Sequence, residues 1–200
     1  MAFIISAIAT FVSTSIDYLF ILVILYSQKK NHQRSGRILA GQYLGLSILI
    51  LVSLIAAFAI HLIPQDWVVG FLGLVPLFLG IRAAVHPESE DEEDEVISSS
   101  QKYGSLVISV AAITIASGGD NLGIYIPYFT TLQPFKIGIV ILIFAMLTFL
   151  LNFASKKISH IKLIGETIEK YERIIVPVVF IALGIYIMVE NGTISHFFHR

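Results

Sequence analysis

Residues 105–130 read SLVISVAAITIASGGDNLGIYIPYFT, and the only charge in this stretch is Asp120. A helix of about 20 apolar residues, rising 1.5 Å per residue, crosses a bilayer core about 30 Å thick. The stretch therefore predicts a membrane span with a carboxylate inside it. Five others meet the same test within a residue or three: Phe3–Tyr26, Ile38–Ile63, Trp67–Val85, Lys136–Ser155 and Ile174–Glu190. The expected fold is an all-α integral membrane protein of six transmembrane helices. Composition agrees, since 56% of the 200 residues are apolar and 14% are charged, against about a quarter charged in a soluble domain.

The first apolar stretch is expected to be a retained helix. It has no Lys or Arg before its apolar run, the run is too long for a secretory signal, and no small-residue cleavage site follows. The chain has no cysteine, which removes disulfides, thiolate metal ligands and a Cys nucleophile. There is no nucleotide-binding glycine loop, no HExxH and no plausible Ser/His/Asp set on the inner segments. An enzyme, an ATP-driven pump and a nucleic-acid partner are not expected. Membrane lipid is the expected surrounding, and homo-oligomerisation is left open.

Basic residues set an orientation, because cytoplasmic loops are enriched in Lys and Arg. With the N-terminus outside, the inner loops hold Lys29, Lys30, Arg34 and Arg37, then Arg82 and Lys102, then Lys156, Lys157, Lys162, Lys170 and Arg173. Lys136 and Arg200 fall outside. Both termini are expected on the outer side. The chain then divides into a three-helix unit over 1–85, an acidic cytoplasmic linker over 86–104, and a second three-helix unit over 105–200. The linker carries seven acids within Glu88–Glu95, a self-repelling block expected to stay solvated. Near 160–173, Ile161, Ile164, Ile168 and Tyr171 recur at helical spacing. The i,i+4 pairs Glu166–Lys170 and Glu169–Arg173 support a short amphipathic helix on the membrane surface.

The two units resemble each other. Aligning Asp17 with Asp120 also pairs Ala9 with Ala112, Leu19 with Leu122 and Ile21 with Ile124. Leu79-Gly80-Ile81 and Leu183-Gly184-Ile185 correspond at nearly the same offset. An odd number of helices per unit places the units in opposite orientations. The result is a 3+3 inverted repeat, an arrangement that sets a binding site near the bilayer midplane in many secondary transporters.

Asp17 and Asp120 are the acids deep inside predicted helices. An ionised carboxylate at that depth costs about 3 kcal/mol on insertion scales. No Lys or Arg lies at matching depth; Arg82 is close to the inner end of its helix. The expected partner is therefore mobile: a metal ion, a proton or an organic cation. The alternative is a pair of structural aspartates bonded to neighbouring hydroxyls. Thr10, Ser13, Thr14 and Asp17 fall on one face of the first helix. Thr114, Ser117, Asn121 and Tyr125 make a similar stripe beside Asp120. Such hydroxyls also often bond only their own backbone. For a metal ion, Asp17 and Asp120 would be the charged ligands, with Asn121, Ser117 and Thr14 as neutral oxygen donors. Gly118-Gly119 and Pro127 flank Asp120 and Asn121 and predict either a break in the helix or close packing through small residues. Ser13, Gly118, Gly119, Tyr125, Pro127 and Gln42 are expected along the pathway, Gln42 at the inner end of the second helix.

These residues carry a resemblance. The order Thr14-Ser15-Ile16-Asp17, Gly41-Gln42-Tyr43-Leu44-Gly45, Leu72-Gly73-Leu74-Val75-Pro76, Gly119-Asp120-Asn121-Leu122-Gly123 and Glu190-Asn191-Gly192-Thr193-Ile194 resembles the cadmium-resistance transporter (CadD-like) family, within the superfamily related to lysine exporters. The resemblance implies secondary-active export of divalent metal, cadmium above all, in a bacterial cell membrane. Related manganese exporters are similar in placing carboxylates in helices one and four, here Asp17 and Asp120. An all-oxygen site suits manganese, magnesium or calcium as well, so the residues leave the cation open. The expected mechanism is antiport, with protons and cation taking turns on the two carboxylates. Export of a small amino acid or organic cation, and a membrane scaffold without transport, are the other readings. A scaffold has no need of two unpaired intramembrane acids.

Overall fold

A computed structural model of the chain describes residues 2–27, 32–60, 70–85, 105–119, 121–159 and 165–193. Among them the regular structure is helical, without a strand. The helices are α1 (Ala2–Ser13), α2 (Ile16–Ser27), α3 (His32–Ile60), α4 (Leu74–Val85), α5 (Leu106–Ser117), α6 (Leu122–Thr130), α7 (Pro134–Ile158) and α8 (Gly165–Glu190). A 3-10 turn over Gly70–Gly73 leads into α4.

Two helices are long and apolar enough to cross a membrane alone, Ser35–Ile60 within α3 and all of α7, with 26 and 25 residues. The pairs α1–α2 and α5–α6 each become a span of that kind if the bent pair is taken as one. The apolar helices Gly70–Val85 and Ile174–Glu190 are shorter. Much of the outer surface is apolar: Phe58 is 74%, Phe135 80% and Leu142 71% exposed. Side chains of that size and number in water would be an aggregation surface. Lipid is the solvent that suits them.

Glycines decide how closely the helices approach. In α3, Gly41 and Gly45 lie against Val110 and Thr114 of α5; a Cβ at Gly45 would sit 2.6 Å from the Thr114 Cβ. Between α4 and α8 the contact is backbone on backbone. A Cβ at Gly184 would lie 2.5 Å from the carbonyl oxygen of Gly73, and one at Gly73 the same distance from that of Gly184. Small-xxx-small spacing of this sort brings membrane helices together through van der Waals contact. Packing crosses between the two halves of the chain. α3 lies chiefly on α5 and α6, α7 lies on α1 and α2, and α4 pairs with α8. An aromatic cluster of Phe11, Tyr125, Phe129 and Phe144 fills the space where α1, α6 and α7 meet, with ring centroids 5.3 to 6.5 Å apart.

The broken pairs matter most for the site. α5 and α6 diverge by 74° across Gly118–Asn121, where the glycine pair predicts either a break or close packing. Both are present. Gly118 leaves the helix at φ −98°, ψ 16°, and a Cβ there would overlap the Tyr18 hydroxyl and crowd Leu49. The first span is also broken, by 54° between α1 and α2, where the sequence reads as one continuous helix. Two hydroxyl residues at this break bond back onto the preceding turn. Ser13 Oγ donates to the carbonyls of Ala9 and Thr10, and Thr14 Oγ1 donates to those of Thr10 and Phe11. Side chains that bond the preceding turn compete with the backbone ladder and bend helices. The 86–104 linker lies outside the described residues. In the 160–173 segment the backbone is described from 165 onward, and there it is one helix with the rest of α8.

Candidate functional site

The two breaks lie against each other, and Asn121 is what joins them. Its Nδ2 donates to the carbonyl oxygen of Thr14 at 3.1 Å and to the hydroxyl of Tyr18 at 2.9 Å. Thr14 is in the first break; Tyr18 is in the first turn of α2. Tyr18 in turn donates its hydroxyl proton to the carbonyl of Thr114, in the last turn of α5. The Thr14 hydroxyl is 2.9 Å from that of Tyr125 on α6. Thr114 Oγ1 lies 3.2 Å from Gln42 Oε1 on α3. Ser13, Thr14, Ser15, Gln42, Thr114, Asn121 and Tyr125 are all buried.

Most of these polar atoms are paired, as buried groups must be. Three are not: Thr10 Oγ1, Ser15 Oγ and Asn121 Oδ1 are buried and have no hydrogen-bond partner among the described residues. Ser15 and Asn121 lie in the breaks, and Thr10 lies within α1, one turn before the first of them. A buried amide or hydroxyl left unpaired costs about 1–3 kcal/mol.

Thr14, Asn121, Tyr125 and Gln42 are brought into one hydrogen-bonded group, Gln42 through Thr114. Ser13 bonds its own helix. The 54° bend separates Thr10 and Ser13 from Asp17, so the single helical face expected for them is interrupted. Ser117 is half-buried at the end of α5, Gly118 and exposed Gly119 form the second break, and Pro127 is buried within α6. Asp17 is the second residue of α2. Its side chain, and the whole of Asp120, lie outside the described residues. Their chain neighbours Tyr18 and Asn121 are bonded to each other. No group of three His, Cys, Asp or Glu gathers among the described residues.

Tyr18 and Ser15 are the site residues that reading the sequence passed over. Tyr18 looks like one more aromatic in an apolar run. A signal for it exists: the alignment that matches Asp17 with Asp120 matches Tyr18 with Asn121, its hydrogen-bond partner.

Apolar helices broken at one shared, buried polar centre are the architecture of a membrane transporter. The particular kind follows from the sequence as a whole. The chain belongs to the cadmium resistance transporter family, whose sequence model matches residues 11–199. No curated protein and no solved structure matches the chain.

Proposed function

We propose that this chain is a secondary-active exporter of divalent metal cations, cadmium among them, working by proton antiport in the plasma membrane. The observation that carries it is the trio of unpartnered buried oxygens in or one turn before two helix breaks, one of them on Asn121 and so adjacent to Asp120 in the chain, and Ser15 two residues from Asp17. Asp17 and Asp120 supply the charge that a dication needs, and Asn121, Ser117 and Thr14 lend neutral oxygens. Oxygen donors hold magnesium, manganese and calcium as well as cadmium, and fast release favours weak ligands over thiolates.

Six crossings fit the four long or bent spans together with the two shorter apolar helices. An inverted 3+3 repeat is supported by three features. Both broken spans open their half of the chain, α3 on α5–α6 is mirrored by α7 on α1–α2, and the paired helices α4 and α8 close each half. Residues that correspond between the halves, Tyr18 and Asn121, touch each other, as positions near a pseudo-two-fold axis do. The count of basic residues then places both termini outside.

In the proposed cycle Asp17 and Asp120 are the groups that hold protons once the cation has left. Such a pair takes up protons before the site turns inward. Right-side-out vesicles loaded with cadmium or manganese and a pH-sensitive dye, with voltage clamped by an ionophore, should acidify inside as the metal leaves. Metal efflux with no proton entry would remove antiport and leave a uniporter or another counter-ion.

A further inference from the structure

We infer that Tyr18 is a positioning residue that locks the amide of Asn121 with its oxygen, never its nitrogen, turned toward the transported cation; this rests on the export reading above. The donor and acceptor count leads there. The amide nitrogen has two protons, and both are taken, one by the Thr14 carbonyl and one by the Tyr18 oxygen. The Tyr18 hydroxyl donates to the Thr114 carbonyl at 3.1 Å and accepts from the Asn121 amide. Toward Asn121 the tyrosine therefore presents a lone pair. Two acceptors thus flank one end of the amide. Rotating the amide by half a turn would turn its oxygen toward the Thr14 carbonyl oxygen and give up both of these N–H bonds.

The consequence is a fixed Oδ1. It is buried, its residue is 1% exposed, and it has no partner among the described residues. A neutral oxygen held this way is a hard ligand of constant orientation, suited to a small dication and useless to an anion. Gly118 completes the lock. Its missing side chain is what lets the Tyr18 hydroxyl reach past the break to Thr114, since a Cβ there would overlap that hydroxyl. Outer partners that orient a ligand are commonly worth about 10- to 100-fold in metal affinity.

The test compares wild type, Tyr18→Phe, Asn121→Ala and the double variant in everted vesicles, with Mn²⁺ and Cd²⁺ as probes. Phe keeps the ring and its packing and removes only the hydroxyl. Tyr18→Phe should raise KM about 10- to 100-fold with the maximal rate changed less than about twofold. Because Tyr18 acts through Asn121, the double variant should be no worse than Asn121→Ala. Equilibrium binding of Mn²⁺ to the purified protein should weaken in parallel with KM. A structural role would instead lower the maximal rate and the yield at constant KM. That result, additive effects in the double variant, or a Tyr18→Phe protein indistinguishable from wild type would each overturn the inference alone. A wild-type protein that moves no dication would overturn the export reading and this inference with it.

Discussion

Asp17→Asn and Asp120→Asn are each expected to abolish metal export while leaving the protein inserted in the membrane. The substitutions are isosteric and remove a charge rather than volume. Two unit charges 4 Å apart attract by about 4 kcal/mol at an effective dielectric near 20. Losing one carboxylate opposite a dication therefore weakens the site by on the order of 1000-fold or more. The neutral oxygens of Asn121, Ser15 and Thr10 cannot replace that charge, since none ionises. Metal uptake into everted vesicles, with immunoblots of the membrane fraction to normalise for protein, measures the effect. Full transport in either variant would dismiss the two-carboxylate site.

The second large effect is on the fold. Gly184→Leu should remove most of the folded protein from the membrane, because there is nothing soft for a side chain to displace. The atoms a Cβ would meet are the Gly73 carbonyl oxygen at 2.5 Å, the Leu77 nitrogen at 2.8 Å and the Leu77 Cβ at 2.9 Å. Backbone atoms give way only if α4 and α8 separate. Overpacking a core ordinarily costs about 1–3 kcal/mol; here the whole helix contact is at stake. Gly138→Ala on α7 is the control. Nothing lies within 4 Å of its Cβ position, and Ala is favoured over Gly in a helix by about 1 kcal/mol. Thermal unfolding in detergent, followed by size-exclusion chromatography, should show Gly184→Leu aggregated and Gly138→Ala at or above wild type. A monodisperse Gly184→Leu protein with an unchanged midpoint would mean that the α4–α8 contact tolerates separation.

Much of the helical plan was legible because membrane helices advertise themselves by length and apolarity. Ser105–Thr130 corresponds to α5 plus α6, Lys136–Ser155 to α7, and Trp67–Val85 to the 3-10 turn plus α4. A lipid environment demands these apolar runs whatever the helices later pack against. The break at Gly118-Gly119 was legible as one of two readings, since a glycine pair loosens a helix and also admits a neighbour. The break at Thr14-Ser15 was not. Serine and threonine sit in many straight membrane helices, and Thr148 and Ser155 make the same bonds to the preceding turn within unbroken α7. Choosing Thr10 and Phe11 over solvent is a matter of burial, which no single sequence displays. For the same reason Tyr18 stayed hidden. Its ring belongs to the apolar pattern, and its hydroxyl meets Thr114 and Asn121, 96 and 103 residues away.

The crossing of the two halves has a consequence for how the chain is made. During synthesis α3 emerges with Gly41 and Gly45 on a face whose partner, α5, is still untranslated. The broken span α1–α2 likewise waits for α7 before it has a straight helix to lean on. Neither half holds the neighbours its own helices need, so 1–85 and 105–200 are not separate folding units in the sense that two soluble domains are. The early helices must remain in the bilayer as independently inserted rods until the late ones arrive. α8 follows the other helices in the chain, so the close approach of its Gly184 to Gly73 forms only after they have been made.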